Sequence, residues 1–106
     1  MTAANGSPGA PLLLFFTSRT SGPARRMESL LAHLARKERL RLRVSRIDMD
    51  DSPELAERLG VAEVPTLILV HERRPVARLA GRVSAPQIER FVAPYLAPKT
   101  AAQTAA

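Results

Sequence analysis

The residues from Leu12 to Phe16 form an unbroken apolar run, LLLFF, between Pro11 and the polar pair Thr17-Ser18. This run is far shorter than the ~20 apolar residues that a membrane-spanning helix needs. No basic residue precedes it, as one would in a secretion signal. Half-buried strands alternate apolar and polar residues, whereas a continuously apolar strand is buried on both faces. The run therefore predicts a central strand with helices on both sides of its sheet, which is an α/β arrangement.

The segment after this strand predicts an amphipathic helix followed by an edge strand. Ser21 can cap the helix, and Pro23 is tolerated in its first turn. Four apolar residues then recur at helical spacing and extend the helix to about Arg39: Met27, Leu30, Leu31 and Leu34. Residues 41–48 (RLRVSRID) follow a strand pattern with Leu42 and Val44 on one face and Ile47 on the other. The charges in this strand discourage pairing with another sheet, which is typical of an edge.

The second half of the chain predicts a short helix, a hairpin and a closing helix. Ser52 and Pro53 begin the short helix and Gly60 ends it. Residues 66–70 and 75–80 predict two strands that are joined by a polar turn at 71–74. Ser84 and Gln87 have the spacing of a capping box at the start of the last helix. The apolar stripe of that helix is Ile88, Phe91, Val92 and Tyr95, and Pro94 allows at most a kink or one further turn.

The length of 106 residues allows one domain with one sheet. Residues 1–10 and 98–106 are small, polar and rich in Gly, Pro or Ala, so we expect them to be disordered tails. The expected folded domain is therefore 11–97. We expect it to be a monomer.

The composition excludes several kinds of chemistry. The chain has no cysteine, which rules out a disulfide scaffold, a thiolate metal site and thiol catalysis. His33 and His71 cannot form a metal site by themselves, so we expect no metal and no cofactor. The net charge is +6, and 14 of the 16 basic residues are Arg, which permits attraction to acidic partners. With no membrane segment and no leader, the expected location is the cytoplasm.

Two short motifs and the order of the elements resemble the thioredoxin family. Ser21-Gly22-Pro23-Ala24 stands between the first strand and helix, where the family has Cys-Gly-Pro-Cys. Val64-Pro65-Thr66 looks like the family's cis-proline signature, and Gly81 matches the glycine before its last helix. The resemblance implies a thioredoxin-like fold reduced to its minimal core. It also implies a four-stranded mixed sheet in the order 2-1-3-4, with the first two strands parallel and helices on both faces.

The departures from the family pattern bear on activity. Ser21 and Ala24 stand where the family has its nucleophilic and resolving cysteines, and thiol–disulfide exchange needs a thiolate. Phe15 stands where the family has a buried Asp that assists proton transfer, and Thr20 replaces the Trp before the motif. Four parts of the family's mechanism are therefore missing, and we expect no dithiol chemistry.

Two other functions can be considered from the residues. A hydrolytic Ser21 would need a histidine within hydrogen-bond reach, but His33 lies three turns along the helix and His71 is expected at the far end of a strand. The Arg-rich stretch 36–46 could attract nucleic acid, but no stacking aromatic is interleaved in it. A solvated helix end and edge strand explains that stretch better. Arg25 and Arg26 oppose the helix dipole beside the motif, so they do not serve helix stability. A chance surface placement explains them best, and an acidic partner residue or a phosphate is the alternative.

The family's proline loop leaves backbone groups free to pair with an extended peptide, and this needs no cysteine. The positions that match the walls of that groove are Thr20, Gly22, Pro23, Val64, Pro65, Thr66, Ala80 and Gly81. Our hypothesis is a redox-inactive module that binds an extended segment of a partner protein. One alternative is a Cys-to-Ser and Cys-to-Ala form of an active thiol–disulfide oxidoreductase, although Phe15 and Thr20 fit a naturally inactive chain better. A basic nucleic-acid-binding domain is the other alternative.

Overall fold

The computed structural model describes residues 9–97. Its elements in chain order are β1 (Leu12–Thr17), α1 (Gly22–Lys37), β2 (Arg43–Asp48), α2 (Pro53–Arg58), β3 (Thr66–His71), β4 (Arg74–Ala80) and α3 (Ala85–Val92), followed by a 3₁₀ turn (Ala93–Tyr95). The predicted order of strands and helices is therefore confirmed. Of the two predicted tails, residues 1–8 and 98–106 lie outside the described residues. Gly9 and Ala10 are described, and the Ala10 carbonyl accepts a hydrogen bond from Arg43 at 3.3 Å.

The sheet has four strands in the order β2-β1-β3-β4, as expected. β1 runs parallel to β2 and antiparallel to β3, and β3 runs antiparallel to β4. Successive residues of β1 point to opposite faces, so Phe15 joins the apolar cluster under α1 and α3 while Phe16 joins the cluster under α2. Both side chains are almost fully buried. The LLLFF run is thus covered on both sides, as its composition predicted.

The helix starts follow the local sequence signals. The Ser21 side chain caps α1, and Ser84 and Gln87 form the complete capping box at α3. Ser52 precedes α2 but makes no hydrogen bond through its side chain. After Pro94 the chain continues for the single 3₁₀ turn, within the limit that the proline sets.

The connection between α1 and β2 differs from the sequence prediction. The helix ends at Lys37 rather than Arg39, and the strand begins at Arg43 rather than residue 41. Between them, the Glu38 carbonyl accepts hydrogen bonds from the amides of Arg41 and Leu42, both at 2.8 Å. The chain closes a turn there because Leu42 is drawn into the core, where it is 1% exposed.

The interpretation of 36–46 as a solvated basic stretch is wrong for Arg41, and Arg43 is also partly buried, with its Nε shielded from solvent. Arg36 and Arg39 are exposed, but the side chain of Arg41 is 14% exposed and pairs with Glu38 at 2.7 Å. The charge of Arg41 is therefore neutralised locally and belongs to the packing of this turn. In the part of the chain that the structure describes, each helix is too short or too polar to cross a lipid bilayer.

Candidate functional site

The topology brings the matched motifs to one end of the sheet. Phe16 of β1 pairs with Thr66 of β3, and Thr66 pairs with Ala80 of β4. The loop that leaves β1, the loop that enters β3 and the loop that leaves β4 therefore meet at this end. Residues 18–24, 62–66 and 80–82 form this site, which we call the loop end of the sheet.

The Ser21 hydroxyl is a helix cap. Its Oγ accepts a hydrogen bond from the Ala24 amide at 3.1 Å, and its backbone amide donates to the Ser18 carbonyl at 3.1 Å. The preceding Thr20 is exposed, and its hydroxyl lies 3.0 Å from the Ser18 hydroxyl. The cap satisfies one of the amides that a helix start leaves unpaired. This is the structural role that a serine most often has at such a position.

No base activates Ser21 among the described residues. His33 is exposed on α1, about three turns from the cap. His71 ends β3 at the opposite end of the sheet, about 17 Å from Thr66 along an extended strand, and its ring packs edge-on against Tyr95. A serine without such a partner is not a nucleophile at neutral pH. The residues at 21 and 24 thus present a hydroxyl and a methyl group where dithiol chemistry would need two thiols.

The position of Phe15 also lacks acid–base chemistry. Its ring is 1% exposed and packs in the cluster that contains Ala24, Met27 and Leu31. A carboxylate in that cluster would be costly to bury unless it were paired or hydrogen-bonded. The core under α1 is therefore built for an apolar side chain at this position.

The proline loop is tied to the end of β4. The Val64–Pro65 peptide bond is cis, the Pro65 carbonyl accepts a hydrogen bond from the Gly81 amide at 2.8 Å, and the Thr66 hydroxyl donates to the Glu63 carbonyl at 2.7 Å. Gly81 has a φ of +88°, a conformation that L side chains rarely adopt. Glycine there lets the chain turn away from β4 while keeping the bond to Pro65.

Exposure separates the predicted site residues into two groups. Ala24, Pro65 and Thr66 are buried and support the site from beneath. The remaining predicted residues reach the surface at least in part: Thr20, Ser21, Gly22, Pro23, Val64, Ala80 and Gly81. The backbone N–H and C=O of Val64 have no hydrogen-bond partner among the described residues. The accessible part of the loop end is therefore an exposed edge of small residues beside the free N–H and C=O of Val64.

Positive charge borders this surface. The first turn of α1 contains no acidic residue; Arg25 ends this turn, Arg26 begins the next one, and both are exposed. A methyl group built on Gly22 would lie 3.5 Å from Nη1 of Arg26, so that guanidinium folds back over the helix start. Each cation at the positive end of a helix dipole costs about 0.3–1 kcal/mol. Arg82, which the sequence analysis missed, adds an exposed charge beside Gly81; its place directly after the matched glycine was the available signal.

Metal chemistry has no support in the described part of the chain. Within residues 9–97, no group of three or more His, Cys, Asp or Glu side chains is placed to hold an ion.

Comparison with known proteins agrees with this architecture. The family model described as thioredoxin matches residues 5–94. Thioredoxin of Alicyclobacillus acidocaldarius is 33% identical over 86 residues, which cover 81% of this chain and 82% of that protein. A mutant thioredoxin from Halobacterium salinarum superposes with a TM-score of 0.78 at 27% identity, covering 85% of this chain and 78% of that one. The chain belongs to the thioredoxin family, and it is a member without cysteine.

The coverage of other relatives varies with their length. The chain is 33% identical over 75 residues both to thioredoxin of Mycobacterium tuberculosis, of which it spans 65%, and to the bifunctional thioredoxin reductase/thioredoxin of Mycobacterium leprae, of which it spans 16%. Membership of the family identifies which positions of this chain correspond to the family's motif. The residues that this chain has at those positions determine what chemistry is possible there.

Proposed function

We propose that this chain is a non-catalytic binding module, a cytoplasmic monomer that docks an extended segment of a partner protein at the loop end of the sheet. The observation that carries the proposal is the pair of free backbone groups on Val64. Its N–H and C=O are unpaired among the described residues and lie beside the exposed Ala80 and the half-buried Gly81. An extended segment that adds to such an edge gains main-chain hydrogen bonds without any thiol.

The residues around Val64 suit a backbone that must approach closely. Ala80 and Gly81 are small, so a bound segment meets no bulky side chain of their own at these positions, whereas Gly22 has the Arg26 guanidinium beside it. Thr20, where the family has its Trp, is exposed and can contact a partner through its hydroxyl and methyl groups. Without the two cysteines, the chain can still bind a segment through backbone hydrogen bonds and through contacts with the small residues that line the surface.

The rival interpretation, a cysteine-substituted form of an active oxidoreductase, makes a different claim about the core. A relay carboxylate would stand at Phe15, yet the ring is 1% exposed in an apolar cluster. That packing favours a chain in which position 15 was never ionisable. Reading the natural gene at codons 21 and 24 separates the two interpretations directly, because two cysteine codons would support the rival.

The binding proposal is tested by peptides selected from a random linear library displayed on phage, resynthesised with a fluorophore and measured by anisotropy. Ala80→Glu and Ala80→Arg place bulk of either charge sign at the loop end, and Ala93→Glu and Ala93→Arg are matched controls at the opposite end of the sheet. Both Ala80 variants should weaken Kd about tenfold or more, which is ~1.4 kcal/mol. The control variants should change Kd less than about twofold, and all four should melt like the parent because exposed substitutions usually cost within ~0.5 kcal/mol.

Three results would contradict the proposal. The first is a selection that yields no peptide binding above background. The second is a set of peptides whose affinity ignores both Ala80 variants. The third is binding that survives both Ala80 variants but is lost when Arg36 and Arg39 are changed to Gln. That result would move the binding surface to the basic stretch and bring nucleic acid forward as the ligand.

A further inference from the structure

We infer that the segment bound at the loop end is acidic; the inference rests on the proposed function and names the chemistry of its partner. Three exposed arginines border the site: Arg25 and Arg26 near the start of α1, and Arg82 directly after Gly81. None of the three forms an ion pair with a described residue. Unpaired cations around a binding surface favour a partner of opposite charge.

The placement of these arginines is not explained by the stability of the fold. Arg25 and Arg26 stand at the end of α1 where the helix dipole is positive and disfavours them. Arg26 points its guanidinium back over Gly22 rather than along the helix toward an acidic residue. In contrast, two other cations on the same side of the sheet are paired, Lys37 with Glu89 and Arg46 with Glu28. Exposed arginines without an ion pair also occur elsewhere among the described residues, for example Arg36, Arg39 and Arg74. What distinguishes Arg25 and Arg26 is their position against the helix dipole beside the proposed binding surface.

The charge around the loop end is divided between two sides. Arg25 and Arg26 lie at the start of α1 and Arg82 lies in the connection that enters α3, whereas the connections into and out of α2 carry Asp51 and Glu63. Asp51 already faces Arg19 at 3.9 Å, but Glu63 makes no ion pair among the described residues. A bound acidic segment would thus place its carboxylates toward α1 and α3 and away from Glu63.

A peptide fits both features of this surface, and nucleic acid fits one. The free N–H and C=O of Val64 pair with another peptide backbone, while the arginines pair with carboxylates. Single-stranded nucleic acid is held by stacking aromatics as well as by charge. No aromatic residue occurs in residues 18–24, 62–66 and 80–82, which form the loop end.

The test uses the strongest peptide from the library selection, resynthesised with Glu, Gln or Lys at every polar position. The variant Arg25→Gln/Arg26→Gln/Arg82→Gln is compared with Arg36→Gln/Arg39→Gln/Arg74→Gln. Both triple variants lower the net charge from +6 to +3. Any effect of net charge alone on peptide affinity should therefore be the same in the two variants. Thermal melts verify that both variants are folded before affinities are measured.

The Glu peptide should bind most tightly to the parent and should lose about tenfold in affinity with the first triple variant, against about twofold or less with the control triple. The difference should shrink between about 50 and about 500 mM salt, because exposed charges are screened. Glu63→Gln should strengthen binding of the Glu peptide, since it removes a repulsive charge.

The outcomes separate this inference from the proposed function. Peptides that are blocked by Ala80→Arg but show no preference for Glu over Gln and Lys would overturn the inference and leave the binding module standing. Equal losses with the two triple variants would also overturn it, because the effect would follow net charge rather than position. A failure of every peptide to bind the loop end would remove the proposed function itself.

Discussion

The ion pair between Glu38 and Arg41 allows a quantitative test of the turn that the sequence did not predict. Nε and Nη2 of Arg41 donate to the same Glu38 oxygen at 2.9 and 2.7 Å, and Nη1 donates to the Ala97 carbonyl. The two side chains are 14% and 9% exposed. Replacing Arg41 by Met would leave a largely buried carboxylate without its cation.

The size of the effect follows from this burial. Removing one partner of a fully buried pair costs about 3–5 kcal/mol, and the residual solvent contact of Glu38 lowers our expectation for Arg41→Met to about 2–3 kcal/mol. For a domain of this length each kcal/mol shifts Tm by ~4–8 °C, so Tm should fall by about 10–20 °C. Urea denaturation at constant m value measures the same change in the free energy of unfolding.

A double-mutant cycle isolates the pair from the loss of Arg41 packing. Arg41→Met and Glu38→Gln, singly and together, should show a coupling free energy of about 2 kcal/mol. The pair Glu28–Arg46 is the matched control, because its atoms are 3.5 Å apart and its side chains are 38% and 53% exposed. Its coupling should lie in the ~0.2–1 kcal/mol range of exposed pairs. Equal coupling in the two cycles would refute the assignment of Arg41 to the packed turn.

Two further predictions concern the loop end. The parent chain should reduce insulin disulfides no faster than the uncatalysed rate. The double variant Ser21→Cys/Ala24→Cys should restore partial activity, because the helix start stabilises a thiolate while Phe15 supplies no proton relay. Catalysis by the parent chain in a sample free of contaminating host thioredoxin would contradict this prediction. Gly81→Ala should cost about 1–3 kcal/mol in urea denaturation because φ is +88°. Gly22→Ala, where the new methyl would meet Arg26 at an ordinary 3.5 Å, should be close to neutral, and equal costs at the two glycines would refute the backbone argument.

The parts of the fold that the sequence predicted are those set by local signals. Three local signals each predict a helix or strand within a few residues of the signal. They are the apolar run from Leu12 to Phe16, the spacing of the α1 apolar residues and the serine caps. The strand order came from the resemblance to a family, because pairing between distant strands leaves no local pattern. The sheet order and the two-sided burial of β1 agree with these expectations.

The parts that the sequence did not predict depend on partners distant in the chain or on unusual backbone. The spacing of Glu38 and Arg41 permits a local ion pair, but the Arg41 guanidinium also donates to the Ala97 carbonyl 56 residues later, so the local charges alone could not show that the pair is buried. The hairpin turn places Glu72 and Arg73 at φ values of 54° and 69°, although glycine or asparagine is the usual signal for such a turn. At the loop end, the sequence located the matched positions, but their division into buried and exposed residues required the fold.

That division decides which residues can report on function. Ala24 and Pro65 are buried, so the needs of the fold already account for them and their loss would disturb stability and binding together. Thr20, Ala80 and Arg82 are exposed, and the stability of the fold places little demand on their identity. A thioredoxin scaffold without redox activity and without a binding function would tolerate any polar or small residue at these exposed positions. A loss of binding without a loss of Tm at them is therefore the result that a purely structural role for the loop end cannot produce.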